Sequence, residues 1–363
     1  MAKEQPKKIL VVGMGWGTAG FLKNIDSNKF DVQVVSASRH FIYTPFLAQN
    51  IRKAANIILK GEDFKDGVKF NYDIIQDTDF NENTIIGYET DYNYDYLVLA
   101  HGAKTNTFDI DGVYKHCFML KTDKDAELIR DNLSQLPQYS CVSVIGCGLT
   151  GTEVIGTLLD YNKFRINAID ALPRPIPTFK TELSDFVLKH WRDNLVNMYM
   201  NSKVSSVGQK HITLSDNTVL DSDMSIWCGG CKNSILTDQI LDNLNLDCKK
   251  GLPVDSHLLV KNTSNVWGIG DCAYNGWPST AQVAYKQGGY LANIFNTGHY
   301  KSLESAPKFS FDNNGQIGYI GKGKSIYQSH YIKGGGKIVY YLNVFVHAYN
   351  SVTWPMKRSI LSA

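Results

Sequence analysis

Short apolar segments alternate along this chain with glycine-rich turns and with longer amphipathic stretches. Two of these segments, residues 9–12 and 142–145, are only four residues long and rich in β-branched side chains. They are too short for helices, and their composition is typical of buried parallel strands. Because an amphipathic stretch and a further apolar run follow each segment, the pattern predicts two strand–helix–strand units in an α/β protein.

A complete dinucleotide-binding fingerprint follows residues 142–145. Three glycines lie at the G-x-G-x-x-G spacing: Gly146, Gly148 and Gly151. At this spacing the first glycine permits a tight turn, the second lets a pyrophosphate approach the backbone, and the third lets the helix pack on the strand. Free N–H groups at the start of the helix then face the phosphates. The segment therefore predicts a dinucleotide site.

The acidic residue that such a site needs follows in the next strand. Residues 166–169 form the second apolar run of the unit, and Asp170 ends it. A carboxylate at this place accepts both ribose hydroxyls and repels a 2′-phosphate. Asp170 therefore favours NADH over NADPH, although Arg174, four residues further on, is a cation that a 2′-phosphate could use.

A less regular copy of the fingerprint follows residues 9–12. Its turn contains Gly13, Gly15, Gly17 and Thr18. Thr18, a small residue, holds the third fingerprint position, and the next strand, residues 32–35, ends in Ser36 where an acid is usual. Ribose recognition must therefore differ at this copy. Two nucleotide-binding units in one chain suggest two nucleotides that face each other for electron transfer.

A third landmark is the apolar run that ends in Gly270-Asp271. Pro278 lies near the start of a helix that the pattern predicts over residues 281–294. Asp271 could accept a ribityl hydroxyl while the helix N-terminus faces the anionic edge of a flavin ring. The landmark therefore adds a flavin to the predicted ligands.

Other segments complete the predicted secondary structure. Residues 68–95 alternate short apolar and Asn/Asp-rich pieces, which predicts antiparallel strands joined by turns. Thr122 can cap a helix that has Asp123 and Asp125 in its first turn. Further predictions are a core strand at 96–100, an amphipathic helix at 183–194, a hairpin at 210–220 and a strand at 224–227.

Composition limits the class of protein. The chain has 363 residues, of which 43% are hydrophobic and 20% charged, so it can bury a substantial core in two or three domains. The net charge of +2 gives no electrostatic argument for nucleic acid. Seven scattered cysteines indicate reduced thiols and not a disulfide framework. With no signal peptide or membrane-spanning run evident, we expect an intracellular protein, cytoplasmic or peripherally attached to a membrane.

Several motifs together resemble one family, the type II NADH dehydrogenases, which are single-subunit FAD-dependent NADH:quinone oxidoreductases of the pyridine nucleotide-disulfide oxidoreductase superfamily. The similarity covers roughly residues 8–361. Its motifs are Gly13-Met14-Gly15-Trp16-Gly17 with Phe21-Leu22-Lys23-Asn24-Ile25-Asp26, Thr44-Pro45-Phe46-Leu47, Ala100-His101-Gly102-Ala103, Thr150-Gly151-Thr152-Glu153, Trp227-Cys228-Gly229-Gly230, and Gly270-Asp271 followed by Ala281-Gln282-Val283-Ala284.

The resemblance implies a fold like that of glutathione reductase, with two Rossmann-like domains. Residues 1–112 and 233–300 would form the FAD-binding domain, 113–232 the inserted NADH-binding domain, and 301–363 a C-terminal segment for membrane or dimer contact. NADH would reduce the flavin, which would then pass two electrons to a quinone. The fingerprints and the resemblance assign to FAD Gly13, Gly15, Gly17, Thr18, Ser36, Thr44, Pro45, Ala100, Gly102, Asp271 and Ala281, and to NADH Gly146, Gly148, Gly151, Asp170 and Gly229.

The resemblance also implies catalytic residues. Glu153 would lie near the nicotinamide and help to orient it, although a solvated glutamate in the first turn of a helix is the alternative. Gln282 would lie near the quinone. Family members carry a second glutamine four residues later, where this chain has Lys286. A cation there could stabilise an anionic quinol, or it could mark a different acceptor.

The C-terminal region is an amphipathic membrane platform in the family, and we expect a shortened one here. Residues 337–361 could retain that contact, with Val339, Leu342, Val346 and Tyr349 along one helix face and Lys357 and Arg358 at lipid phosphates. A buried or homodimer-facing helix is an equally good interpretation.

Two other functions stay open. Cys228 and Cys231 form a C-x-x-C motif that would suit a flavoprotein disulfide reductase. No context that would lower a thiol pKa follows this motif, so we favour an incidental pair. An NADH-responsive signalling or scaffold flavoprotein with weak activity is the non-enzymatic alternative. No metal-ligand spacing is evident in the sequence.

Overall fold

The computed structural model describes residues 5–313, 315–351 and 354–362. The chain divides into two compact units, each assembled from three stretches. The first unit comprises Met1–Ile42, Ile58–Lys104 and Cys231–Asp312. The second unit comprises Tyr43–Ile57, Thr105–Gly230 and Asn313–Ala363.

A five-stranded parallel sheet is the centre of the first unit. Its strands, in spatial order, are Val266–Gly268, Tyr96–Leu99, Lys8–Val12, Asp31–Ser36 and Lys69–Tyr72. The central strands are apolar because helices cover both faces of such a sheet, and Ile9, Leu10 and Val98 are fully buried. The predicted strands at residues 9–12, 32–35 and 96–100 are thereby confirmed.

The prediction that all strands within residues 68–95 are antiparallel was wrong for the first of them. Lys69–Tyr72 pairs parallel to Asp31–Ser36 at the edge of the main sheet. Polar pairs across the two strands hold it there: Gln33 donates to Asn71 at 2.8 Å, and Lys69 lies 3.1 Å from Asp31. The remaining strands, Ile75–Asp79, Thr84–Gly87 and Asp91–Asn93, do form an antiparallel sheet.

The helices of the first unit are Trp16–Asn24, Ile235–Asn243 and Ala281–Asn296. Its shorter elements are the strands His40–Ile42, Ile58–Lys60, Cys231–Lys232, Leu252–Pro253 and Ala273–Tyr274, the 3-10 turns Gly270–Cys272, His299–Lys301 and Leu303–Ser305, and, at the boundary between the units, the strand Lys104–Thr105.

Two of these helices touch backbone to backbone. A Cβ atom on Gly20 of Trp16–Asn24 would lie 2.0 Å from the carbonyl oxygen of Tyr285. A Cβ atom on Gly288 of Ala281–Asn296 would lie 2.0 Å from the carbonyl oxygen of Gly17. Because no larger residue fits at either point, the glycines set the distance between the two helices that follow Gly15 and Asp271.

The second unit contains a second five-stranded parallel sheet. Its strands, in spatial order, are Cys117–Met119, Met224–Trp227, Cys141–Ile145, Arg165–Ile169 and Asn197–Tyr199. The helices are Val113–His116, Asp123–Gln135, Leu149–Tyr161 and Thr181–Asp193. Thr122 caps its helix in a complete capping box with Asp125, as expected.

Antiparallel strands extend the second unit. Val204–Val207, His211–Leu214 and Val219–Asp221 include the predicted hairpin. Gln316–Gly321, Lys324–Gln328 and Lys333–Gly336 form a C-terminal sheet, which the helices Lys337–Asn350 and Trp354–Ser362 follow. The unit also contains the short helix Leu47–Asn50. Two Rossmann-like parallel sheets and a small C-terminal segment confirm the predicted fold class.

The exposed face of the helix Lys337–Asn350 agrees with the predicted one at Leu342 and Tyr349 but not at Val339 and Val346. Val339 and Val346 are half-buried, whereas Ile338 is 87% exposed. The other exposed apolar residues are Tyr341, Leu342, Phe345 and Tyr349. The helix turns its polar Asn343 and His347 inward instead, because both have polar neighbours within the unit. Within the described part of the chain, no helix is both long and apolar enough to cross a membrane.

Candidate functional site

Both glycine fingerprints form the turn that their spacing predicts. Gly13 and Gly146 adopt φ of +109° and +95°, a region that favours glycine. A Cβ atom on either would also collide, with the carbonyl oxygen of Ala100 at 2.4 Å and with the backbone of Cys228 at 2.8 Å. The first glycine of each fingerprint is therefore needed both for its conformation and for its lack of a side chain.

The second glycine of each fingerprint leaves the space that a pyrophosphate needs. Cβ atoms built on Gly15 and Gly148 meet nothing within 4 Å. Each glycine is the N-cap residue of its helix, with no side-chain cap, so N–H groups at the start of the helix face that space. The residues present thus fit two dinucleotides.

The third position packs in two ways. A Cβ atom on Gly151 would lie 1.8 Å from the carbonyl oxygen of Gly146, so helix and turn touch there. Thr18 takes this place in the first fingerprint, where its buried hydroxyl donates to the carbonyl of Gly13 at 2.8 Å. Gly17 packs instead on Ile269, whose side chain a Cβ atom would meet at 3.0 Å. The irregular sequence therefore builds an equivalent turn.

Asp170 lies directly beside the second fingerprint. One carboxylate oxygen accepts from the amide of Cys147 at 2.5 Å, and the other accepts from the amide of Leu172 at 2.8 Å. These bonds orient the carboxylate at the end of the strand Arg165–Ile169 and leave further lone pairs for ligand hydroxyls. Arg174 donates to the hydroxyl of Thr181, so its guanidinium already has a partner.

Ser36 has a comparable place after the strand Asp31–Ser36 in the first unit. Its hydroxyl accepts from the amide of Ser38 at 3.1 Å, which shapes the following turn. Sequence reasoning missed the neighbouring Arg39, whose guanidinium stacks on the ring of Tyr72 at 4.8 Å. The sequence shows that residue 39 is an arginine, but it does not show that the arginine packs on Tyr72 of the edge strand Lys69–Tyr72.

Asp271 borders a small cavity in the first unit. The cavity is open to solvent and is lined by Gly270, Asp271, Ala273, Asn275, Trp277, Pro278, Ser279, Thr280, Val283, Ala284 and Gln287. Thr280 caps the helix Ala281–Asn296 by accepting from the amide of Val283. The start of a capped helix and a carboxylate at one cavity suit a ligand that has hydroxyls and an electron-rich ring edge.

Gln287 is a residue of this cavity that the sequence did not reveal. It is buried, and its side-chain oxygen accepts from the amide of Gly270 at 2.7 Å. The bond fixes the backbone directly before Asp271. The only sequence signal was a glutamine on the same helical face as Val283 and Ala284.

The Ala100-His101-Gly102 segment follows the strand Tyr96–Leu99 as expected. Gly102 has φ of +73°, and a Cβ atom there meets nothing within 4 Å, so the turn leaves open space. His101 lies within 2.9 Å of the Thr237 hydroxyl, and desolvation lowers the pKa of its imidazole to about 4. The imidazole is therefore neutral and is a structural residue more than a general base.

The Thr44-Pro45 segment lies in the second unit. Thr44–Phe46 forms a 3-10 turn with Pro45 near its start. Thr44 is exposed and Pro45 is half-buried. Tyr43 and Phe46, on either side, pack edge-on against His347 with ring centroids 6.0 and 5.9 Å apart. The turn is therefore braced by the helix Lys337–Asn350.

Glu153 is buried, so the solvated alternative was wrong. The strand Gln316–Gly321 covers it, and one carboxyl oxygen accepts from the amide of Tyr319 at 3.3 Å. Burial raises the pKa of this carboxyl to about 8, although the Tyr319 amide opposes the shift. Glu153 therefore carries a proton at neutral pH.

Gln282 and Lys286 lie one turn apart on the helix Ala281–Asn296, beside the face that lines the cavity. The Lys286 ammonium donates to the carbonyl of Asp312 at 2.7 Å and lies 5.2 Å from the ring centre of Phe311. Ala281 and Gln282 are half-buried. Whether Gln282 and Lys286 act on an acceptor stays a prediction.

Cys228, the first residue of the cysteine pair, keeps its thiol proton at neutral pH. Burial raises the pKa of the Cys228 thiol to about 12, and both Cys228 and Cys231 are free thiols. Cys228 packs on the fingerprint turn, where Gly229 also lies. Among the described residues no group of histidine, cysteine or acidic side chains could hold a metal ion.

Two Rossmann-like sheets, each with a glycine fingerprint after its central strand, are typical of reductases that bind two dinucleotides. The sequence matches the pyridine nucleotide-disulphide oxidoreductase family over residues 7–288, and the chain belongs to that family.

Individual relatives are more specific. A probable mitochondrial NADH-ubiquinone oxidoreductase of Schizosaccharomyces pombe is 27% identical over an alignment of 344 positions, which covers 80% of this chain and 62% of that protein. A probable NADH dehydrogenase of Dictyostelium discoideum is 28% identical over an alignment of 378 positions, which covers 92% of this chain and 83% of that protein. The chain thus spans about three-fifths of the length of the fission-yeast relative.

The fold of NDH2 from Plasmodium falciparum, solved in complex with NADH, matches with a TM-score of 0.90 at 23% identity. The match covers 99% of this chain and 97% of that one. The resemblance to type II NADH dehydrogenases that the motifs indicate is therefore confirmed by both sequence and fold.

Proposed function

We propose that this chain is an FAD-dependent oxidoreductase that transfers electrons from NADH to a quinone. The observation that carries the proposal is the pair of fingerprint turns, because Gly15 and Gly148 each leave open space at the start of a helix. The names of the two relatives above supply the donor and, for one of them, the acceptor. In net terms NADH, a proton and the quinone would yield NAD⁺ and the quinol.

FAD would accept the hydride from NADH and supply the two electrons to the quinone when bound. The first fingerprint would hold its pyrophosphate at Gly13, Gly15, Gly17 and Thr18, with Ser36 near the adenosine ribose. Asp271 would accept a ribityl hydroxyl, and the helix that begins at Ala281 would point its positive end at the flavin ring. Ala100 and Gly102 would border the same cofactor.

NADH would bind at Gly146, Gly148, Gly151 and Gly229, with its adenosine ribose on Asp170. This assignment gives residues 1–112 and 233–300 to FAD, 113–232 to NADH and 301–363 to membrane or dimer contact. Glu153 would keep its carboxyl proton at neutral pH and so serve the carboxamide of the nicotinamide as a neutral hydrogen-bond donor. If Glu153 were ionised, its carboxylate could no longer donate this hydrogen bond to the carboxamide.

Quinone reduction would occur beside Gln282 and Lys286. The amide of Gln282 would donate to a quinone carbonyl and so favour the developing anion. The disulfide-reductase alternative is weaker, because the Cys228 thiol, with its pKa raised to about 12, is a poor nucleophile at neutral pH.

The exposed apolar face of Lys337–Asn350 would provide a peripheral membrane contact. Ile338, Tyr341, Phe345 and Tyr349 are 87%, 72%, 64% and 71% exposed, and Arg358 is exposed on the next helix. Such a face suits the headgroup boundary of a bilayer. Phe345→Glu should reduce the fraction of protein that sediments with anionic vesicles. If neither the wild type nor the variant sediments with the vesicles, a homodimer interface is the better explanation of this face.

The proposal is tested with purified protein. Acid precipitation should release FAD into the supernatant, since nothing in the first unit predicts a covalent link. Anaerobic NADH should bleach the flavin absorbance, and a soluble quinone should restore it faster than oxygen does. Purified protein without flavin would rule out an FAD-dependent enzyme. A reduced flavin that quinones do not reoxidise would rule out a quinone as the electron acceptor.

A further inference from the structure

Trp277 forms one wall of the cavity at Asp271 and keeps 41% of its surface exposed. It lies in the loop that leads into the helix Ala281–Asn296, where Gly276 adopts φ of +88°. A large aromatic side chain on a loop has no fixed position unless something packs against it. The ring of Phe311 packs against it, with its centre 5.7 Å from that of Trp277 in an edge-on arrangement.

Phe311 is fixed in turn by Lys286. The Lys286 ammonium lies 5.2 Å from the ring centre of Phe311 and donates to the carbonyl of the next residue, Asp312, at 2.7 Å. The cation therefore binds both the ring and the backbone of the same short segment. A glutamine, which the family resemblance implies at this position, carries no positive charge and could not attract the ring in this way.

These contacts form one chain from the helix to the cavity. Lys286 holds Phe311, Phe311 supports Trp277, and Trp277 borders the space next to Asp271. The indole keeps 41% of its surface exposed, and an indole face is electron-rich and flat, so it suits an electron-poor ring. A quinone is such a ring. Lys286 would then act through two aromatic side chains and not by placing its charge on the acceptor.

We infer that Lys286 is a positioning residue for the acceptor, which holds Phe311 and Trp277 in place so that the Trp277 indole stacks on a quinone ring. The inference rests on the proposed function, because that function supplies the quinone. It replaces an electrostatic role for Lys286 with a steric and aromatic one, and the two roles predict different kinetics.

Lys286→Met removes the charge and the donor but keeps the length of the side chain. We expect it to raise the KM for ubiquinone-1 about fivefold while kcat stays within about twofold of wild type. Lys286→Arg keeps a cation and a donor and should restore the wild-type KM. A matched control is Lys163→Met, since Lys163 lies 5.3 Å from the ring centre of Phe164 and donates to the Ser134 carbonyl at 3.4 Å in the second unit.

A double-mutant cycle separates the two roles. In a Trp277→Ala background, Lys286→Met should have no further effect on the KM, because the indole that it positions is gone. A full additional loss in that background, or an Arg variant as impaired as the Met variant, would overturn the inference. So would a Met variant whose kcat falls while its KM stays constant, which is the result that an electrostatic role predicts.

A spectroscopic measurement needs no acceptor. A Trp277 ring held in one orientation contributes to the near-ultraviolet circular dichroism, and Trp277→Phe identifies that contribution by difference. Lys286→Met should lose the same band and Lys286→Arg should keep it, at unchanged far-ultraviolet spectra. If the band survives in Lys286→Met, the inference fails whatever the enzyme does. If no quinone reoxidises the wild-type flavin, the proposed function fails, and this band still reports on the Lys286–Trp277 linkage.

Discussion

Tyr43 and His347 meet inside the second unit, with the phenol oxygen 3.3 Å from Nδ1 of the imidazole. The two residues are 304 positions apart, and they join the Thr44–Phe46 turn to the helix Lys337–Asn350. His347 is buried, and its Nε2 has no hydrogen-bond partner among the described residues. Burial lowers the pKa of this imidazole to about 4.

His347 should make the protein sensitive to acid. The unfolded chain binds a proton on this histidine below about pH 6.5, whereas the folded protein binds it only near pH 4. The free energy of unfolding is therefore highest above pH 6.5 and falls as the pH drops from 6.5 to 4, by roughly 3 kcal/mol from this residue. His347→Phe should flatten the fall in Tm over that range.

Tyr43→Phe is the control, because it removes the phenol oxygen and leaves the buried imidazole. Its Tm should keep the wild-type dependence on pH between 6.5 and 4. If His347→Phe and wild type lose stability in parallel over this range, the imidazole is not buried in the neutral form as described.

Glu153 should act in the opposite pH range. The unfolded carboxyl loses its proton near pH 4.5, and the folded one keeps it up to about pH 8. Stability from this group is thus complete below pH 4.5 and is lost as the pH rises from 4.5 through 8, by roughly 5 kcal/mol. Glu153→Gln keeps the shape without the charge, so it should gain stability over wild type as the pH rises.

Chemical denaturation at pH 5 and pH 8 measures this difference. Glu182→Gln is the matched control in the same unit, because Glu182 is exposed and pairs with Lys333, which lowers the pKa of its carboxyl. That variant should show no gain at pH 8. A Glu153→Gln variant that is equally destabilised at both pH values would contradict a protonated Glu153.

The two open glycine positions give a test of the NADH site. Gly148→Ala places a methyl group where nothing lies within 4 Å, so the fold should keep its stability. The methyl group would occupy the space of the pyrophosphate, and NADH affinity should fall about tenfold, equivalent to ~1.4 kcal/mol. Isothermal titration with NADH measures the affinity, and thermal unfolding measures the stability.

Gly151→Ala is the contrasting variant three residues away. Its Cβ atom would lie 1.8 Å from the carbonyl oxygen of Gly146, so it should cost about 1–3 kcal/mol of stability from overpacking. Equal losses of stability in the two variants would argue against open space at Gly148.

The parts of the site that the sequence predicts are local. A four-residue apolar run and a glycine spacing determine Gly146, Gly148 and Asp170, because each acts through its own turn or strand end. The capping box at Thr122 is equally local. Thr18 in place of a third glycine does not disrupt the first fingerprint turn, because its hydroxyl donates to the carbonyl of Gly13. Ser36, where an acid is usual, still ends the strand Asp31–Ser36.

The parts that the sequence did not predict depend on distant contacts. Glu153 is buried because a strand 166 residues further along the chain covers it. His347 and Lys286 likewise take their roles from partners that no periodicity reveals. The exposure of Val339 and Val346 on the helix Lys337–Asn350 was predicted wrongly for the same reason. Asn343 donates to the buried Ser325 hydroxyl, so a polar side of this helix packs inward.

Asp170 should decide the choice of nicotinamide cofactor. Its carboxylate is held by the amides of Cys147 and Leu172, so it would meet the ribose of a bound nucleotide as a fixed charge. Two hydrogen bonds to the ribose, at least one of them charge-assisted, should be worth about 2–4 kcal/mol. The wild-type protein should therefore show a much higher kcat/KM for NADH than for NADPH, and Asp170→Ala should lose most of that preference.

Arg174→Gln is the control for this prediction. Because the Arg174 guanidinium already donates to Thr181, its removal should leave the ratio of kcat/KM values nearly unchanged. Asp170→Ala also removes the bonds to Cys147 and Leu172, so binding of ADP-ribose should be measured beside turnover. Equal kcat/KM values for the two cofactors in wild type would remove Asp170 from the site. A preference that shifted in Arg174→Gln and not in Asp170→Ala would move discrimination to the arginine.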